Sequence, residues 1–139
     1  MHLIKRSIAA LCIILLTCGI AMAGSTDVAQ GKAIYLQYCA SCHGPNGEGN
    51  GPLAPMLTTP PANLRKLYQR YGNPLPEDQI ARFIEGRSDV RLHGPRDMPV
   101  WGERFYVDAN GNAQEVKSRI AKLVAFLQSI QSGTNTAMR

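Results

Sequence analysis

Apolar residues recur at helical spacing along much of this 139-residue chain, and they almost nowhere alternate as in a β-strand. The clearest predicted helix is the last one, because its apolar stripe stands opposite Lys117 and Lys122. The stripe consists of Val116, Ile120, Leu123, Val124, Leu127 and Ile130. Pro76 and Gly86 bracket a second helix, since proline suits the first helical position and glycine the end. The pattern therefore predicts an all-α protein.

Two further helices are predicted from weaker signals. Asp27 is a good N-cap, and Gln30 three residues later completes a capping-box pattern. The apolar positions on one face of this first helix are Ala29, Ala33 and Leu36. Asn63 can cap a short helix that carries Leu64, Leu67, Tyr68 and Tyr71. The first helix would end where a pair of cysteines begins.

The segment before the last helix departs from the helical pattern. Asn110-Gly111 is predicted to form a tight turn, with residues 104–107 as a short strand before it. This is the one place where the sequence predicts a strand.

The first residues are typical of an export signal. Lys5 and Arg6 form a short basic region, an apolar stretch follows, and residues 21–23 have the small-x-small pattern that signal peptidase recognises. We predict a secretory signal peptide at residues 1–23 and one periplasmic domain over residues 24–139. Its core would span about 27–131, followed by a frayed C-terminal tail. No stable membrane insertion is expected after cleavage.

Two alternatives would keep the protein at the membrane. The apolar stretch is nearly long enough to cross a bilayer, so an uncleaved signal would act as an anchor. Lipidation of Cys18 is the other alternative, although the threonine and leucine before it fit a lipoprotein cleavage site poorly. In every case residues 24–139 would lie on the far side of the inner membrane.

The candidate chemistry lies in residues 39–43, whose sequence is CASCH. Two thiols three residues apart with a histidine directly after the second form the pattern of c-type haem attachment. The sulfurs of Cys39 and Cys42 can each add to one vinyl group of the porphyrin, and His43 can then ligate the iron. The motif predicts one covalent haem c. Its flat apolar ring would also enlarge a core that the composition leaves thin.

Other uses of this pair of cysteines are disfavoured. Cys12 and Cys18 lie in the predicted export segment, so the mature chain would keep no other thiol to pair with the motif. A thioredoxin-like redox pair needs a preceding strand in a parallel βαβ unit. A zinc site needs four nitrogen or sulfur ligands, and His43 and His93 are far apart in sequence.

With these features in place, the chain resembles the class I c-type cytochromes, the small monohaem electron-transfer proteins, from residue 27 to about 131. Besides the CASCH motif and the last helix, the resemblance rests on residues 51–53 (GPL) and residues 96–102 (RDMPVWG). It implies a cytochrome c fold, in which N- and C-terminal helices pack against each other around the haem, with short intermediate helices and long loops. Gly31 or Ala33 would then let the C-terminal helix approach closely.

Three residues are candidates for the second axial ligand. The resemblance assigns this role to Met98, which follows a polar loop and precedes the last helix region. His93 could be presented by the same loop and would give a bis-histidine iron, although a surface histidine is the more ordinary role. Met56 follows the motif closely and is expected to pack as a soft gap-filler. Ligation by Met98 would raise the reduction potential relative to a bis-histidine iron.

The resemblance also implies roles for residues around the ligands. The carbonyl of Pro52 would accept a hydrogen bond from the ring N–H of His43 and so fix its tautomer. Trp101 would pack on the haem with its indole N–H toward a propionate, or else serve only in core packing. Candidate propionate partners, which the sequence does not rank, are Arg65, Tyr68 and Tyr71.

Ligation by His43 and Met98 implies a one-electron carrier rather than an enzyme, because an iron with both axial positions filled does not readily bind oxygen or peroxide. The carrier could be free or a subunit of a respiratory or dehydrogenase complex. The alternative is a haem-based sensor or small haem enzyme with a labile distal ligand. No general base or nucleophile near Met98 supports that alternative.

Charge bears on the partners of this protein. The formal net charge of +5 falls to +3 once the two basic residues of the export segment are removed. Such a charge is too small to indicate nucleic-acid binding. It suits brief docking on acidic redox partner proteins. The identity of the donor and acceptor and the oligomeric state stay open at this point.

Overall fold

The structure, a computed structural model, describes residues 24–87 and 98–132, and within these residues it contains helices and no strand. The helices are α1 (residues 24–38), α2 (Ala40–His43), α3 (Tyr68–Tyr71), α4 (Glu77–Glu85), α5 (Trp101–Asp108) and α6 (Ala113–Ser129). Two 3₁₀ turns, Ala54–Met56 and Leu64–Lys66, lie in the long connection between α2 and α3. The all-α prediction is confirmed. None of the described helices has the length and apolar character needed to span a bilayer.

The helices α1 and α6 cross in direct contact at Gly31. A Cβ atom at this position would collide with the carbonyl oxygen of Lys122 and lie 3.0 Å from the Cβ of Phe126. Gly31 is buried and Ala33 is exposed, so only the first of the two predicted small residues serves the crossing. The N- and C-terminal helices therefore pack against each other, as the resemblance implied.

The hydrophobic core lies between α6 and the helices that surround it. The apolar stripe of α6 is buried as predicted, at Ile120, Leu123, Val124 and Leu127, and Phe126 is buried beside it. The ring of Tyr35 from α1 lies 5.0 Å from that of Phe126, measured between centroids. The remaining large core residues, from α4, α5 and the connection before α4, are Leu75, Ile80, Ile84 and Phe105.

Local capping signals account for where several helices begin and end. Asn112 accepts hydrogen bonds from the backbone N–H groups of Gln114 and Glu115 and so begins α6. Pro76 precedes α4, and Gly86 ends it in the left-handed conformation with φ 84°. The side chain of Asn63 caps the 3₁₀ turn Leu64–Lys66, so this capping prediction is also confirmed.

The buried face of α1 differs from the prediction. Asp27 lies within the helix rather than before it, and Leu36 is 47% exposed. Tyr35 is fully buried and Tyr38 packs against the core. Two aromatic rings bury more apolar area than the alanines of the predicted face, so they decide which side of the helix turns inward.

The short strand predicted over residues 104–107 is wrong, because these residues belong to α5. The helix brings Trp101 and Phe105 onto one face, where their rings stack with centroids 6.0 Å apart. This burial overrides the preference of the aromatic and β-branched residues for a strand. The predicted turn does follow, since Asn110 (φ 50°) and Gly111 (φ 83°) both have the positive φ of a tight turn.

Candidate functional site

The CASCH motif forms one helical turn directly after α1. The N–H of Cys39 donates to the carbonyl of Tyr35 (2.8 Å), and the N–H of His43 donates to the carbonyl of Cys39 (3.0 Å). Residues at positions i, i+3 and i+4 share one face of a helix, and this spacing joins Cys39 to Cys42 and His43. All three side chains line a single cavity.

This cavity has a volume of about 650 Å³ and is lined mainly by apolar side chains. The helices α1, α4 and α6 contribute Tyr35, Tyr38, Ile80, Ile84, Leu123 and Leu127 to the lining. The connection between α2 and α4 adds Leu57, Pro61, Leu64, Leu67 and Tyr71, among others. An apolar chamber with two thiols and an imidazole on one wall fits a covalently attached haem c.

The orientation of His43 is set by a backbone carbonyl. Its Nδ1 lies 3.0 Å from the carbonyl oxygen of Ala62, and a carbonyl can only accept, so Nδ1 carries the proton and Nε2 is left for a metal. Burial lowers the pKa of His43, while the bond to Ala62 raises it in part. The neutral imidazole that results is the form that binds iron.

The role assigned to Pro52 was therefore wrong, because the carbonyl that meets His43 is that of Ala62. The backbone N–H of Gly51 donates to the carbonyl of Cys42 (3.0 Å), and that of Leu53 donates to the carbonyl of Ser41 (2.9 Å). These bonds hold residues 51–53 against the backbone of α2, and Pro52 is exposed and outside the cavity lining.

Cys39 does not have the character of a redox-active nucleophile. Burial, with a smaller contribution from Cys42, raises the pKa of Cys39 to about 12. A thioredoxin-like nucleophile needs the opposite, a thiol whose pKa is lowered. Both cysteines are half-buried, form no disulfide within the described residues and line the cavity, which suits covalent attachment to a ligand within it.

The candidates for the second axial ligand differ in whether they line the cavity. Met98 is half-buried and lines the cavity together with the cysteines and His43. Met56 is 81% exposed at the end of the 3₁₀ turn Ala54–Met56 and lies outside the lining, so its expected role as a gap-filler is wrong. The prediction for His93 lies outside the described residues.

Trp101 also lines the cavity and belongs to an aromatic cluster. Its ring meets that of Tyr38 edge to face, with centroids 5.7 Å apart, and stacks on Phe105. The hydroxyl of Tyr38 donates to the carboxylate of Asp108 (3.1 Å), which ties α1 to α5. The segment that carries Met98 thus leads directly into a helix that is packed on α1.

Sequence reasoning missed the supporting residues Tyr35, Tyr38 and Ala62. The hydroxyl of Tyr35 donates to the carbonyl of Gly44 at 2.5 Å, one residue after the histidine of the motif. The spacing of Tyr35 and Cys39 by four residues could have placed both on one helical face. Ala62 acts through its backbone oxygen, and no property of an alanine side chain indicates that.

A helical fold closed by its two terminal helices around a CASCH-lined apolar cavity defines a c-type cytochrome domain. The family model described as "Cytochrome C oxidase, cbb3-type, subunit III" matches residues 26–113, which is more than half of the chain. The chain belongs to this family. Its domain binds haem c covalently and serves haem-based electron transfer. No curated protein and no solved structure matches the chain significantly.

Proposed function

We propose that the protein is an exported one-electron carrier whose haem iron is ligated by His43 and Met98. The observation that carries this proposal is that Met98 lines the same cavity as His43 and both cysteines, whereas Met56 is exposed outside it. A thioether and an imidazole are an established ligand pair for electron-transfer haem.

Each residue of the cavity has a distinct part in this function. The bound haem supplies one-electron chemistry at its iron. Cys39 and Cys42 tether it, and the carbonyl of Ala62 holds the ring of His43 in one orientation. The apolar lining excludes water, which limits the reorganisation around the site when its charge changes. Met98 contributes a soft sulfur ligand, which favours the reduced state of the iron and raises the reduction potential.

The compartment and partners are also part of the proposal. The export signal predicted at residues 1–23 supports a periplasmic protein, and c-type cytochromes are typically exported. The family description names a subunit of an oxidase, which supports delivery of electrons to an oxidase complex, either as a subunit or as a free carrier. Mass spectrometry of the protein purified from the periplasm should find a chain that begins at Gly24 and carries one haem.

The ligand pair can be tested by absorption spectroscopy of the holoprotein. Ferric haem with a sulfur ligand has a weak charge-transfer band in the far red, and we expect this band in the unsubstituted protein. Met98→Ala should abolish it, because the substitution removes the only thioether described in the cavity. Met56→Ala is the matched control and should leave the band unchanged, since Met56 lies outside the lining.

The same measurement separates the competing assignments. A band that survives Met98→Ala, or a bis-histidine spectrum that is lost in His93→Ala, would contradict ligation by Met98. A high-spin spectrum and prompt binding of carbon monoxide by the unsubstituted protein would instead favour a haem-based sensor or small haem enzyme. The electron-carrier proposal requires a low-spin iron in both oxidation states.

A further inference from the structure

We infer that Lys66 and Arg70 form a binding site for carboxylates at the edge of the cavity, and that the carboxylates they bind are the two propionate groups of the haem. The inference rests on the proposed function only in placing a haem in this cavity. It assigns the basic partners of the propionates to residues that the sequence pattern did not single out.

The charges of the cavity lining are the first observation. Among the described residues that line the cavity, the lysine and arginine side chains are those of Lys66 and Arg70. No aspartate or glutamate is among them. Both residues are exposed, whereas their neighbours Leu67 and Tyr71 are half-buried. Positive charge thus stands where the apolar chamber meets solvent, and this is where the charged end of an otherwise apolar ligand belongs.

The second observation is that no carboxylate of the described residues neutralises these two cations, which they share with the other described basic residues except three arginines. Arg87, Arg104 and Arg119 form ion pairs with Glu85, Asp108 and Glu115, respectively. Lys66 and Arg70 form no ion pair with any residue in the described ranges. Arg65, a candidate from the sequence, instead donates through Nε to the hydroxyl of Ser132 (2.9 Å) and lies outside the lining.

The third observation is that the segment that carries both cations is fastened to the end of α6. The side chain of Gln131 is only 5% exposed, and its Oε1 accepts from the N–H of Tyr68 (3.1 Å). Its Nε2 donates to the carbonyl of Leu64 (2.8 Å). The Oε1 of Gln128 accepts from the N–H of Leu75 (2.8 Å). A backbone held at both ends presents the two cations from a fixed position, so the backbone loses little conformational entropy when their side chains bind an anion.

The consequence is electrostatic. A nearby cation favours the ionised form of a carboxylate, and it also disfavours the more positive, ferric state of the iron. Neutralising either residue while the propionates stay charged should therefore stabilise ferric iron. The reduction potential would become more negative.

The test is a set of charge-neutralising substitutions in the holoprotein. Lys66→Gln and Arg70→Gln should each make the reduction potential more negative, and the double variant should shift it further. Lys66→Arg and Arg70→Lys should keep the potential close to that of the unsubstituted protein, because the charge remains. The matched controls are Lys117→Gln and Arg82→Gln, which remove the same charge from exposed helix positions outside the lining and should shift the potential far less.

A second readout reports on the carboxylates themselves. In redox-difference infrared spectra, the carboxylate bands of isotopically labelled propionates should move in Lys66→Gln and Arg70→Gln and stay in place in the controls. Bands that do not move, or potentials that shift no more than in Lys117→Gln and Arg82→Gln, would overturn the inference. Failure of Met98 ligation would appear separately, as an absent far-red band in the unsubstituted protein. The propionate comparison would still be measurable there, because Cys39 and Cys42 tether the haem.

Discussion

The cavity has two walls that hold the two proposed iron ligands, His43 and Met98, by different physical means. The proximal wall, α2 with the loop over residues 44–64, is held by directional backbone hydrogen bonds. The carbonyls of four consecutive residues of this wall, numbered 41–44, accept from the N–H groups of Leu53, Gly51, Gly49 and Gly47, respectively, at 2.8–3.1 Å. The loop is therefore hydrogen-bonded to α2 and the residue after it at four successive positions, which fixes the CASCH motif in place.

The distal wall, Met98 with α5, is held by the packing of side chains. Trp101 and Phe105 pack on Tyr38, with ring centroids 5.2–5.7 Å apart. Aromatic packing tolerates small shifts, whereas a hydrogen-bonded loop in tight contact does not. We therefore expect one added carbon atom in the proximal wall to destabilise the protein strongly. Replacement of a distal-wall ring by a smaller ring should destabilise it only slightly.

The largest effect is expected from Gly51→Ala in the proximal wall. An added Cβ would lie 2.6 Å from the carbonyl carbon of Cys42 and 2.7 Å from the carbonyl oxygen of Ala40. Both are backbone atoms, so the loop itself must move. Overpacking typically costs 1–3 kcal/mol, and here we expect about 3 kcal/mol or more. Denaturant unfolding of the holoprotein would measure this loss of stability.

Gly24→Ala provides the control for this substitution. Gly24 has nothing within 4 Å of the position of an added Cβ, and it lies in α1. Because Gly24 is the first residue of α1, the helix-interior advantage of alanine applies only in part, and this variant should stay within about 0.5 kcal/mol of the unsubstituted protein. Equal losses in both variants would show that the proximal wall is not tightly constrained.

The packing of the distal wall also explains which elements the sequence could predict. For α4 and α6 the apolar spacing and the caps agree, as at Pro76, Gly86 and Asn112, and the structure has these helices where they were predicted. For α5 the local preference of residues 104–107 conflicts with tertiary packing, and packing prevails. Periodicity is informative where one helix face is strongly apolar. It fails in α1, where the buried face is marked by Tyr35 and Tyr38 and by the close contact at Gly31 rather than by the predicted alanines.

The candidate site likewise contains residues that the sequence could predict and one contact that it could not. Cys39, Cys42 and His43 follow from a covalent motif whose spacing is short, and the cavity brings them together with Met98 and Trp101. The hydrogen-bond acceptor of His43 could not be predicted, because every residue has a carbonyl and only the path of the loop decides which one arrives. That path depends on bonds such as the one from the N–H of Leu64 to the carbonyl of Gly47 (2.7 Å).

The next largest effect is expected from Trp101→Ala in the distal wall. Replacement of a buried tryptophan by alanine costs 3–5 kcal/mol, and since Trp101 is half-buried we expect about 2–3 kcal/mol. The far-red band of sulfur-ligated ferric haem should weaken as well, because Trp101 lies close to Met98 in the chain. Denaturant unfolding and absorption spectroscopy measure the two effects.

Trp101→Phe sharpens this test, since it keeps a ring against Tyr38 and Phe105. A loss below about 1.5 kcal/mol with the band intact is the expected result. If Trp101→Phe were as damaging as Gly51→Ala, the contrast between a rigid proximal wall and a tolerant distal wall would not hold.

The smallest effect is expected from Tyr35→Phe, which removes one hydrogen bond from the proximal wall. Its hydroxyl donates to the carbonyl of Gly44, which also accepts from the N–H of Gly47 (3.1 Å) and so is not left without a partner. A loss of about 1 kcal/mol at neutral pH is therefore expected. Tyr106→Phe is the control, because Tyr106 is 52% exposed, and its effect should stay within about 0.5 kcal/mol.

Alkaline pH should reduce the contribution of the Tyr35 hydroxyl to the free energy of unfolding. Burial raises the pKa of Tyr35 to about 12, whereas a tyrosine in the unfolded chain has a pKa of about 10. Below pH 10 both states keep the proton. Between pH 10 and 12 the unfolded chain releases a proton that the folded protein retains, so this residue makes the protein less stable as pH rises. The stability difference between the unsubstituted protein and Tyr35→Phe should therefore shrink across this interval. A difference that stays constant up to pH 12, or that shrinks equally for Tyr106→Phe, would show that Tyr35 is not buried as a neutral donor in the proximal wall.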